Sequence, residues 1–166
     1  VVLFKRKYLV YSVSDTSRRF HIDSFKNETP DVVMLHWVAG FVSVEDVLQI
    51  YDTYKVPIFW YLMDMAPITG GCHYSYGCQG YVNNCISCPA AVVDFGLTRK
   101  LSMSKERLRG IVEYIAPNYW VADQVNVIAS VTPHVSYIPI NQEVFLPRTL
   151  ESTSRSEINL FFGSQN

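Results

Sequence analysis

The stretch from Asp31 to Leu62 constrains the fold more than any other part of the chain. Asp31-Val-Val-Met-Leu35 is short, apolar and β-branched, with Pro30 before it, and reads as a buried strand. Gly40 breaks the chain, and Ser43 followed by Asp46 is close to a capping box. Val44, Val47, Leu48, Tyr51 and Tyr54 then recur at helical spacing, which predicts an amphipathic helix over 43–54. Ile58 to Leu62 is a second short apolar run, better suited to a buried strand than to a helix. Strand, helix, strand in this order is a βαβ unit, whose right-handed crossover makes a parallel sheet.

The rest of the chain extends that pattern. Tyr8 to Val13 predicts a strand, and the polar stretch 14–27, with Arg18, Arg19 and His21, a loop. A helix is expected over 91–109, stopped by Gly110, then a strand over 111–116. Asn118 reads as the N-cap of a helix over 119–129, and 134–138 as a further strand. Thr149 to Glu157 has the composition of a linker. Alternating strands and helices imply an α/β fold: a Rossmann-like, parallel, doubly wound sheet with flanking helices.

Fourteen basic against fifteen acidic side chains, a net charge of −1, argue against a dedicated nucleic-acid binder. No apolar run approaches the eighteen or so residues of a spanning helix. No signal-peptide pattern opens the chain, so the expectation is a cytoplasmic protein. Arg99, Lys100, Lys105, Arg107 and Arg109 could rest the helical stretch 97–109 on anionic lipid at the inner face of the plasma membrane; such a run is more often a solvated face.

Chemistry concentrates between residues 63 and 90. The strand at 58–62 delivers Asp64, then Pro67, Thr69, Gly70 and Gly71 form a turn-rich cluster. Open α/β sheets place ligands at that end of their strands. Asp64 either serves chemistry or caps the turn through Asx-type bonds, and Thr69 and Gly70 either offer N–H groups to an acceptor or simply turn the chain. His36 and Trp37 end the preceding strand, where Trp could stack on a sugar face or pack in the core. All four cysteines follow, Cys72, Cys78, Cys85 and Cys88, within seventeen residues. Four thiolates suit a closed structural zinc site; two disulfides or four free thiols are the alternatives. His73 could replace one ligand, or pack, or face solvent.

These residues carry a resemblance. Asp64-Met-Ala-Pro-Ile-Thr-Gly-Gly-Cys-His-Tyr74, then Cys78, Tyr81, Cys85 and Cys88-Pro89, resembles a segment of bacterial family 4 glycosyltransferases, the enzymes of colanic-acid and other exopolysaccharide assembly. Leu35-His36-Trp37, Ala116-Pro117-Asn118-Tyr119-Trp120 and Ile138-Pro139 with Phe145 and Pro147 are similar to further segments, so the likeness spans about 31–166. The family's His falls on Met63, its Trp on Ala66, and its Asn-Gly on Ile140-Asn141. The resemblance implies the acceptor half of a GT-B enzyme, incomplete at its N-terminal end: residues 1–148 as the acceptor domain, 149–157 as linker, and 158–166 as the first strand of a donor domain. It implies retaining transfer from a nucleotide sugar to a polysaccharide or lipid-linked acceptor, with the donor held by the second half and no activity from this piece alone. Acceptor contacts would fall to His36, Trp37, Asp64, Thr69 and Gly70; no catalytic residue is assigned, and Met63, next to Asp64, stands at the position of the family's His. A glycan-binding module derived from such an enzyme, held by metal, is the other expectation.

Overall fold

The structure is a computed structural model that describes residues 12, 20–25, 27–91 and 95–146. Among these residues four parallel strands form one sheet in the order β1-β2-β3-β4: β1 Val33–His36, β2 Ile58–Tyr61, β3 Val112–Ala116 and β4 His134–Val135. The connections carry helices α1 Val44–Tyr54, α2 Phe95–Glu106 and α3 Tyr119–Ala129. The α/β class, the parallel sheet and its flanking helices are as the sequence implies.

The sheet winds one way, and its burial follows. Leu35, Trp60 and Tyr114 form one cross-strand row, and Ile58 and Val112 share another. All five are buried, packed with Val47 and Ile50 of α1 and Val121 and Val125 of α3. The opposite face carries Met34, Phe59 and Glu113 in one row and His36, Tyr61, Ile115 and His134 in the next. It is much more open, with Met34 46 % exposed. The helices expected on both faces are thus matched by a single buried face among the described residues.

Local chemistry sets the boundaries. Ser43 Oγ accepts from Asp46 N at 3.2 Å while Ser43 N donates to Asp46 Oδ2 at 2.8 Å, completing the capping box of α1. Asn118 Oδ1 accepts from Val121 N at 2.9 Å at the start of α3. α2 is shorter than predicted. After Glu106 the chain tightens into i→i−3 bonds, Leu108 N to Lys105 O and Arg109 N to Glu106 O, and turns at Gly110 with φ +74°. β4 spans two residues rather than five, because β3 ends at Ala116 before Pro117 and offers nothing beyond the bond from Ser136 N to Ala116 O. Ile22–Phe25 forms a 3-10 turn inside the stretch read as loop. Apart from Ser12, the strand expected over 8–13 lies outside the described residues, as do the linker at 149–157 and the strand at 158–166.

Candidate functional site

β1 and β2 are parallel and in register, so the residues that follow them leave the sheet at one edge. Trp37 follows β1; Met63 and Asp64 follow β2. All three line an open cleft, with Val38, Val42, Trp60 and Leu101 among its apolar walls. Trp37 holds φ +39°, a left-handed conformation unusual for a bulky residue, and the residue is 59 % exposed. Such strain survives where the surroundings impose it, and it gathers at functional sites. The indole tilts over the His73 ring with centroids 5.1 Å apart. Met63 is 44 % exposed beside it.

Asp64 is buried and uses both carboxylate oxygens. Oδ1 accepts from Ala66 N at 2.7 Å, the Asx turn that leads into the 3-10 turn Ala66–Ile68. Oδ2 lies 2.6 Å from Nδ1 of His73, whose side chain is also buried. That Nδ1 lies off the line of a good hydrogen bond, and among the described residues it is the one buried side-chain nitrogen or oxygen without a hydrogen-bond partner. The other ring nitrogen, Nε2, is 2.7 Å from Ser12 Oγ. Ser12 is held from behind by its N–H, which donates to Gly71 O at 2.8 Å. Ser12, His73 and Lys105 all line the cleft. None of the three was expected there: the partners lie far apart in sequence, and only the fold of the Gly-rich loop joins them.

Thr69 and Gly70 sit behind the cleft wall. Thr69 is fully buried; its hydroxyl donates to Cys72 O at 3.0 Å and accepts from Gly71 N at 3.2 Å. A Cβ on Gly70 would stand 2.4 Å from Thr98 O, so the close approach of α2 requires glycine here. Lys105 Nζ donates to Ala66 O at 2.7 Å and Thr69 O at 2.8 Å, fastening α2 to this turn. His36 lies on the open sheet face, stacked on Tyr61 at 5.5 Å. Of the basic residues over 97–109, Arg107 pairs with Glu45, and Arg109 donates to Ile128 O at 2.8 Å. Arg99 and Lys100 of the same stretch are exposed.

The four cysteines line one smaller pocket, and none is in a disulfide. Gly80 N donates to Cys78 Sγ at 3.2 Å and Gly70 N to Cys85 Sγ at 3.4 Å. Burial pushes the Cys72 thiol up to about 11, against the hydrogen bond from Thr69, and the neighbouring Cys85, Cys88 and Cys78 add to the rise. Cys85 is raised by burial too, opposed by the Gly70 N–H. Thiols that raise one another in this way would be brought down by a cation among them. The donor chemistry and the N–H···S bonds fit a soft metal ion. Among the described residues, however, no three His, Cys, Asp or Glu side chains are drawn together closely enough to hold one.

No described helix is long and apolar enough to cross a membrane. Comparison with protein-family models, with curated proteins and with solved structures finds no match for this chain.

Proposed function

We propose that this chain is the acceptor-side domain of a sugar-transferring enzyme, which moves a sugar from a nucleotide donor to a polysaccharide or lipid-linked acceptor with retention. The observation that carries the reading is the cleft beyond the carboxyl ends of β1 and β2, where Trp37, Met63 and Asp64 meet. Trp37 and Asp64 also belong to segments that carry the sequence resemblance, and Met63 stands where the resembling family has histidine. An exposed indole beside polar groups suits the face of a sugar ring and its hydroxyls. Thr69 and Gly70 then shape the cleft from behind, and a nucleotide sugar would be held by a second domain. In support of a second reading, a non-catalytic glycan-binding module, Met63 brings a thioether to the cleft where the resembling family has an imidazole. A thioether transfers no proton.

In either reading a structural zinc ion would fall to Cys72, Cys78, Cys85 and Cys88, and binding it would require the loop to draw these thiols closer together than they stand here. Zinc would supply a cross-link that keeps this loop folded behind the cleft.

The test is saturation-transfer NMR of the folded chain with methyl hexosides. The expected result is transfer to the saccharide protons, lost in Trp37→Ala. Absence of transfer at millimolar saccharide would refute both readings. Sugar transfer by a protein containing this domain then separates the enzyme from the binding module.

A further inference from the structure

We propose that Ser12, His73 and Asp64 form a nucleophile–base–acid triad that cleaves a short-chain carboxylic ester held in the same cleft. The three groups follow one another at close range, hydroxyl to imidazole to carboxylate. Ser12 Oγ is 2.7 Å from His73 Nε2, and His73 Nδ1 is 2.6 Å from Asp64 Oδ2. This is the reach that nucleophilic catalysis requires: a hydroxyl touching a base, and a base oriented by a third group. Burial grades along the series. Asp64 and His73 are 6 % and 5 % exposed, whereas Ser12 is only partly buried. A buried carboxylate steadies the imidazolium that forms when the serine proton is taken. Catalytic hydrogen bonds are commonly poorly aligned before substrate arrives, which accounts for the off-line contact between His73 and Asp64.

The surroundings limit the substrate. Val38, Val42, Val44, Trp60 and Leu101 form an apolar wall beside the triad, suited to a short acyl chain. Ser12 Oγ attacks the ester carbonyl carbon, and its proton moves to His73 Nε2. The alcohol leaves with that proton, and an acyl ester remains on Ser12. Water then attacks the acyl carbon, giving one proton to Nε2, and the acid departs as Ser12 recovers its hydrogen. The balance is ester plus water to acid plus alcohol, with no other reactant. The inference stands on this geometry and does not rest on the sugar-transfer reading.

The test is a fluorophosphonate probe on the whole chain, read by intact mass and peptide mapping, beside hydrolysis of p-nitrophenyl acetate. The expected result is one adduct per chain on Ser12, absent in Ser12→Ala. Asp64→Asn keeps Oδ1 as the acceptor for Ala66 N while removing the charge beside His73. It is expected to lower kcat by about 10³–10⁴-fold with little change in KM. Loss of fold would not divide the two constants in that way, and circular dichroism of each variant checks the fold. A folded wild-type chain that takes no adduct would overturn the triad. So would an adduct on another residue, or labelling and kcat indifferent to Asp64→Asn.

Discussion

Replacing Lys105 by Met is expected to loosen the wall of the cleft without emptying the space its side chain fills. The ammonium of Lys105 makes two hydrogen bonds to carbonyl oxygens, 2.7 Å to Ala66 and 2.8 Å to Thr69, across the gap between α2 and the turn after Asp64. Hydrogen bonds to a charged group contribute about 1.5–3 kcal/mol each. Two of them set an upper range of about 3–6 kcal/mol, reduced because a partly buried ammonium no longer has to be desolvated. Met keeps most of the aliphatic stem, so little packing is lost. The net expectation is about 2–4 kcal/mol of destabilisation. The assay is urea unfolding followed by tryptophan fluorescence, comparing the wild type with Lys105→Met and with Lys105→Arg. The midpoint should fall while the slope stays constant. Arg restores charge but not the compact, two-carbonyl reach of an ammonium, and should recover only part of the loss. A Met variant within about 0.5 kcal/mol of wild type would refute this account of how the turn is held, since that is the size of a neutral surface change.

Other perturbations test neighbouring parts of the account. Gly70→Ala should destabilise by at least the ~1–3 kcal/mol of an overpacked site, because the added Cβ would meet the backbone oxygen of Thr98 at 2.4 Å; an unchanged urea midpoint would contradict that packing. In reduced, metal-free protein, stability should fall as pH rises above about 9. Folded Cys72 holds its proton to about 11 where the unfolded thiol loses it near 9.0, so the unfolded state binds fewer protons in that window and the slope is about −1.4 kcal/mol per pH unit. Tyr114, pushed by burial from 10.0 up to about 12, extends the fall in the same direction. Urea midpoints at pH 8, 9.5 and 10.5 check this, and a flat profile would contradict it. Native mass of protein purified without chelator should exceed its denatured mass by one zinc ion, with the four cysteines alkylated only after denaturation; a metal-free mass with thiols alkylated in the native state would count against the zinc site.

What could be read from the sequence was whatever neighbouring residues decide. Ser43 with Asp46, and Asn118 before its helix, mark helix starts through bonds spanning three residues. Helical spacing placed Val44 and Val47 in the core, and a short apolar run placed Ile58 there. Asp64 was visible because a carboxylate ending an apolar run is a local signal, and its Asx turn is equally local. Its second oxygen was not legible. His73 returns to it only because the turn 66–72 folds back, with Met65 N donating to His73 O at 3.1 Å. Ser12 reaches that imidazole across sixty-one positions, and nothing nearby in sequence announces it. Thr69 and Gly70 looked equally suited to binding and to turning; what makes glycine necessary is Thr98 of α2, a tertiary contact. Sheet order and the single buried face likewise depend on how crossovers stack, which the alternation of strands and helices leaves open.

The most direct test of the central reading is to find where a sugar binds. A photoreactive, diazirine-bearing methyl hexoside can be cross-linked to the folded chain and the labelled peptides mapped by mass spectrometry. The account predicts labels at Trp37–Val42 and at Tyr61–Pro67, the two cleft-lining stretches that leave one edge of the sheet, and their loss in Trp37→Ala. Labels confined to the open sheet face around Met34, Phe59 and Glu113, with the cleft unmarked, would contradict it.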